Sequence, residues 1–244
     1  LTADRLTRRD FGRLVGLAGA AATIARPKTA RAVTRTWRIT GQGLPGLGDF
    51  DTAVMAFMEE RGVACGSLAV ARDGRVVLAR GYTWSAGAVP STQPTSLFRT
   101  ASVTKPITAA AVLRLIQDGR LRPADRAAAI LGLDTTADPR LGDVTVLRLL
   151  QHLGGWDRDV SGDPMFDDLA IASALGRRLP IGQDDIIRYA GRRGLDHAPG
   201  TAFAYSNYGY LLLGKIIEKM TGVPYERYVR EKVLAPAGIG RMRL

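Results

Sequence analysis

Scarcity is the first information this chain gives. Its one cysteine, Cys65, rules out a disulfide within the chain. The apolar setting Val63-Ala64-Cys65-Gly66 marks a small buried side chain rather than a reactive thiol. The two histidines, His152 and His197, are not spaced as metal ligands and no Cys/His cluster accompanies them, so neither metal nor cofactor is expected. Apolar runs are short of the roughly 20 residues that a bilayer span needs, which leaves no stable membrane span. The net charge of +11 raises the question of nucleic acid. Much of it sits in residues 1–32, which hold seven basic and two acidic residues. Elsewhere the arginines often have acids nearby, as Arg158 by Asp157 and Arg188 by Asp185, and no aromatic residues interleave with a basic run. That pattern is a solvated arginine-rich surface, and no nucleic-acid partner is expected. Asparagine is scarcest in a useful way, because the chain has a single one, Asn207.

The front of the chain reads as an address. Thr7-Arg8-Arg9-Asp10-Phe11 is a twin-arginine pair followed by an aromatic residue, and Leu14 to Ala25 is a mildly apolar run. Arg26 and Lys28 precede the small-x-small site Ala30-Arg31-Ala32. This order of segments resembles a twin-arginine export signal. Three segments follow: 1–32 as a twin-arginine-type signal peptide, 33–48 as a linker, and 49–244 as the domain. The expected partner is the twin-arginine export machinery, and the expected location is periplasmic or extracellular.

In the domain, apolar positions Phe50, Val54, Met55, Phe57 and Met58 predict an amphipathic helix over 49–61. Two β-prone runs, 67–72 and 75–80, flank Asp73-Gly74 and predict a hairpin. Residues 83–97 read as a loop. The run from Val103 to Asp118 is apolar nearly all round and stops at Gly119, which predicts a helix inside the protein. Further helices are expected at 143–152, 166–177, 183–193, 207–221 and 224–234. Strands first and helices afterwards indicate an α+β fold.

Chemistry concentrates in two places. Ser102 precedes Lys105 by three residues, so both side chains share one face of a first helical turn. At a helix start the Ser102 hydroxyl is exposed and its backbone N–H is free to hold a developing oxyanion. A lysine there acts as a base only where its surroundings favour the neutral amine. About a hundred residues on come Tyr205-Ser206-Asn207, a phenol for a second proton and a carboxamide for hydrogen bonding. A serine three residues before one of five lysines is weak evidence, since eight serines give it roughly a one-in-six chance. A tyrosine two residues before the single asparagine is rarer, and the two together form a candidate acyl-transfer site. The alternatives are an N-cap for Ser102 and a core position for Tyr205. His152, between an apolar helix and Gly154-Gly155, is taken as structural.

The stretch Phe98-Arg99-Thr100-Ala101-Ser102-Val103-Thr104-Lys105-Pro106 resembles the nucleophile motif of the serine β-lactamase and penicillin-binding protein superfamily, in its class C β-lactamase, esterase and D-aminopeptidase branch. Leu149-Leu150-Gln151-His152-Leu153-Gly154-Gly155 resembles that family's Leu-Leu-x-His-Thr-Ser-Gly segment, departing at Leu153 and Gly154. Pro199 to Tyr210 is similar to its second motif. The resemblance implies a β-lactamase/transpeptidase-like fold, with a helical block packed on an antiparallel sheet. It also implies Ser102 as acylated nucleophile, Lys105 and Tyr205 as its proton shuttle, and Asn207 as contact for the substrate amide or Lys105. The substrate would be a small molecule or peptide carrying an amide, ester or β-lactam. The family's third motif, Lys-Thr-Gly or His-x-Gly, has no match after Asn207, and Pro236-Ala237-Gly238-Ile239-Gly240 resembles a mid-domain segment. A C-terminally truncated copy with an incomplete sheet is therefore expected. Three readings follow: an exported serine hydrolase, a penicillin-binding sensor that acylates without turnover, or an inactive fragment.

Overall fold

The computed structural model describes residues 36–84 and 90–243; the export-signal expectation for 1–32 lies outside the described residues. The chain divides between Ser96 and Leu97 into two compact units.

The first unit is built around a hairpin. Strands β1 (Arg38–Thr40), β2 (Cys65–Arg72) and β3 (Arg75–Thr83) form an antiparallel sheet in the order β1-β3-β2, and helix α1 (Gly48–Arg61) lies between β1 and β2 in sequence. Asp73 (φ 51°) and Gly74 (φ 75°) are both left-handed, the geometry of a two-residue turn whose twist matches its flanking strands. The hairpin therefore follows directly from the Asp-Gly pair. β1 corrects the expectation of a plain linker over 33–48, because Arg38 pairs with Thr83 and Thr40 with Gly81. Three residues are too few to show an alternating pattern. Asp51 of α1 ties helix to sheet: it accepts from Arg80 Nη2 at 2.8 Å and from Tyr82 Oη at 2.6 Å. The hydrogen bond from Arg80 holds the Asp51 carboxyl below its ordinary range, more than its partial burial raises it.

The second unit is helical. In order it contains α2 (Thr104–Gln117), α3 (Ala127–Leu131), α4 (Val146–Leu150), α5 (Arg158–Ser161), α6 (Asp168–Leu175), α7 (Gln183–Ala190), α8 (Asn207–Thr221) and α9 (Tyr225–Val229), followed by a π-helical turn Arg230–Leu234. Its core is the meeting of α2 and α8. Ala111, Val112 and Leu115 face Leu212, Leu213, Ile216 and Ile217, all fully buried, with Val146 and Leu149 of α4 beside them. Each fully buried aliphatic side chain of this kind contributes about 1.5–3 kcal/mol. α8 has clear ends: Ser206 caps it by accepting the Gly209 N–H at 3.0 Å, and Gly222 leaves it at φ 74°.

α2 differs from its expected all-round burial. One face is buried, through Thr108, Ala111, Val112 and Leu115, whereas Leu113 is 56% exposed. Alanines gave the sequence an apolar look on faces that require no burial. The helix expected over 143–152 shrinks to Val146–Leu150 because Thr145 caps it, accepting from the Arg148 N–H at 3.2 Å. Among the described residues no helix is long and apolar enough to cross a membrane.

Candidate active site

Ser102 sits one step earlier than expected, in a 3-10 turn over Ala101–Val103 that leads into α2. Ala101 carries a left-handed φ of 45°, a conformation an alanine adopts only at a cost of about 1–2 kcal/mol. That kink turns the chain before the helix and leaves Ser102 exposed. Lys105 lies in the first turn of α2, half-buried, with its Nζ 3.4 Å from Ser102 Oγ.

The cap of α8 brings the other two residues to the same place. Tyr205 lies just before the Ser206 cap, and Asn207 is the first residue of the helix. The Tyr205 hydroxyl donates to Ser102 Oγ at 2.7 Å, across 103 residues of sequence. Lys105 Nζ donates to Asn207 Oδ1 at 2.6 Å. All four residues singled out in the sequence are thus in one hydrogen-bonded group. Ser206 is excluded as a rival nucleophile, since it is buried and its hydroxyl oxygen serves the cap.

The electrostatics of Tyr205 are opposed. Burial alone would push its phenol up. The hydrogen bonds with Lys105 and Ser102, and the positive charges of Lys105 and Arg158, outweigh it and hold the phenol below the ordinary tyrosine range. The Lys105 ammonium lies 4.6 Å and the Arg158 guanidinium 5.0 Å from the Tyr205 ring centroid.

His152 supports this group from behind. Its ring stacks on Tyr205 with centroids 4.6 Å apart, and its carbonyl accepts the Ala204 N–H at 3.0 Å. Its Nδ1 accepts the Ser206 N–H at 3.1 Å, which places the proton of the neutral ring on Nε2. Burial, and then the nearby Lys105 charge, lower its affinity for a second proton. The structural role expected of His152 is met by these contacts.

Two residues escaped the sequence reading. Arg158 opens α5 and covers Tyr205, and nothing in its local sequence signals this. Asp163 accepts from Asn207 Nδ2 at 2.6 Å. Its position before Pro164 marks a helix cap, but only the folded chain connects it to Asn207.

A serine, a lysine one turn along, and a tyrosine and asparagine at a helix start are thus held together in one hydrogen-bonded group. The beta-lactamase family profile matches residues 50–244, and the chain belongs to that family. Penicillin-binding protein 4 of Amycolatopsis lactamdurans is 31% identical over 186 residues, covering 75% of this chain and 45% of that protein. The octameric penicillin-binding protein homologue from Pyrococcus abyssi superposes with a TM-score of 0.65 at 31% identity, over 80% of this chain and 44% of that one. The D-amino acid amidase from Ochrobactrum anthropi SV3 superposes with a TM-score of 0.58 at 27% identity, over 78% and 52% respectively. The fold is β-lactamase/transpeptidase-like. The chain spans less than half the length of the curated relative it matches.

Proposed function

We propose that this chain is an exported serine hydrolase that forms an acyl-enzyme at Ser102 with an amide, ester or β-lactam substrate. The observation that supports this most is the 2.7 Å hydrogen bond from Tyr205 to an exposed Ser102 hydroxyl, with Lys105 3.4 Å away. In this reading Tyr205, its phenol held below the ordinary range by Lys105, Ser102 and Arg158, first gives up its proton to solvent. Ser102 Oγ then attacks the substrate carbonyl carbon and passes its own proton to the Tyr205 phenolate beside Lys105. The Ser102 backbone N–H, at a helix start where such groups lack intrahelical partners, holds the oxyanion. Collapse of the tetrahedral intermediate breaks the scissile bond, and Tyr205 returns the proton to the leaving nitrogen or oxygen. Water then repeats the sequence on the ester and releases Ser102. The relatives include a penicillin-binding protein and a D-amino acid amidase, which favours D-configured amides or β-lactams as the first substrates to try.

The test is incubation with a fluorescent penicillin and a chromogenic ester. Turnover supports the hydrolase, and one stable label per chain supports the sensor reading. Ser102→Ala should abolish labelling while leaving the circular dichroism spectrum unchanged; persistent labelling would place the nucleophile elsewhere. For export, replacing Arg8 and Arg9 with lysine should hold the protein in the cytoplasm of an expressing bacterium. Continued export of that variant would rule out the twin-arginine route.

A further inference from the structure

A carboxamide has two chemically different ends, and each end of Asn207 meets a partner that tolerates one orientation only. The Lys105 ammonium can only donate, so the oxygen must face it, as it does at 2.6 Å. The Asp163 carboxylate can only accept, so the nitrogen must face it, again at 2.6 Å. Asp163 is itself held. It caps the 3-10 turn Pro164–Phe166 through its other oxygen, Oδ1, which accepts the Met165 N–H at 3.1 Å. Its two oxygens therefore have separate duties, and the cap fixes the direction in which Oδ2 points.

We propose that Asp163 is a positioning residue: it locks the Asn207 carboxamide with its oxygen on Lys105 and thereby keeps Lys105 beside Ser102. The inference rests on the reading of Ser102 as the acylated nucleophile. Without Asp163 the carboxamide can turn over. The turned amide presents N–H groups to an ammonium, so the Lys105–Asn207 contact breaks and Lys105 is free to leave Ser102. Asp163 touches neither substrate nor Ser102 in this account, and it acts only through Asn207.

Asp163→Ser is the discriminating substitution. Serine still caps the turn, but its hydroxyl is one bond too short to reach Asn207. The chain has a single asparagine, so labelling with ¹⁵N-asparagine gives one side-chain NH2 pair, and that pair belongs to Asn207. In the wild-type protein those signals should exchange slowly with water, because the Asn207 Nδ2 hydrogens are held by Asp163. In Asp163→Ser that protection should disappear and the signals should move, while the melting temperature stays within a few degrees. Acylation by a fluorescent penicillin should slow by about 10- to 100-fold, the loss of one charge-assisted hydrogen bond. On top of Asn207→Ala the same substitution should add less than about threefold, because its route of action is already gone. Unchanged Asn207 signals in Asp163→Ser would overturn the proposal, as would losses that multiply in the double variant. Failure of the wild-type protein both to label and to turn over the chromogenic ester would count against the hydrolase reading alone, since the asparagine spectrum needs no reaction.

Discussion

Removing one oxygen atom tests the site most sharply. Tyr205→Phe deletes the hydroxyl that donates to Ser102 Oγ at 2.7 Å and leaves the ring in place. The ring keeps its stack on His152 and its position under the Lys105 and Arg158 cations. Stability should therefore change by no more than about 1 kcal/mol, the net worth of one hydrogen bond. Proton transfer by a positioned side chain contributes about 10²- to 10⁴-fold in rate, which at 1.36 kcal/mol per decade is about 3–5 kcal/mol of barrier. The prediction is a large loss of acylation rate with almost no loss of stability. Stopped-flow labelling with a fluorescent penicillin and a urea melt, run on the same preparations, measure the two quantities. The wild-type rate profile should also carry an inflection below the ordinary tyrosine range that the variant lacks, because Tyr205 is held below that range. A variant labelled within threefold of the wild-type rate would refute the assignment of Tyr205. A variant whose lost rate is matched by lost stability would do the same.

Two further outcomes concern stability. Asp138 accepts from the Arg140 side chain at 2.6 Å and from the Leu195 N–H at 2.8 Å, joining distant parts of the helical unit. Asp138→Ala should cost about 1–3 kcal/mol in a urea melt, because the buried Leu195 N–H loses its charged acceptor while the exposed Arg140 guanidinium can turn to water; a change under about 0.5 kcal/mol would contradict that role. The Arg140 hydrogen bond holds the Asp138 carboxyl well below its ordinary value, so its contribution is full above about pH 4 and is lost as pH falls through the depressed folded-state value. His152 should titrate below its ordinary 6.5, from burial and then from the Lys105 charge. The folded state then disfavours the protonated ring, and stability falls as pH drops below 6.5 toward the folded-state value. Imidazole proton shifts followed by NMR report that midpoint, and a value at or above 6.5 would contradict the burial argument.

Much of the fold was legible because single residues carried it. Asp73-Gly74 names its turn, and the Ser206 cap and Gly222 stop mark the ends of α8. The four site residues were legible for a similar reason: rare letters at short spacing. What stayed hidden depends on distance along the chain. β1 has three residues and acquires its identity from pairing with β3 more than forty positions later. Asp163 looks like any aspartate before proline until α8 brings Asn207 to it. The exposure of Leu113 was hidden as well, since an alanine-rich helix looks apolar on sides that nothing need cover.

The kink at Ala101 has a consequence in handedness. Its φ of 45° is the region that a D-residue prefers and an L-alanine resists. A single methyl group of the wrong chirality thus stands directly before the hydroxyl at the centre of the site. Chemical ligation with D-alanine at position 101 would relax the backbone without altering composition, charge or any side chain downstream. The direction in which Ser102 points is therefore enforced by the rest of the protein against the local preference of its own neighbour.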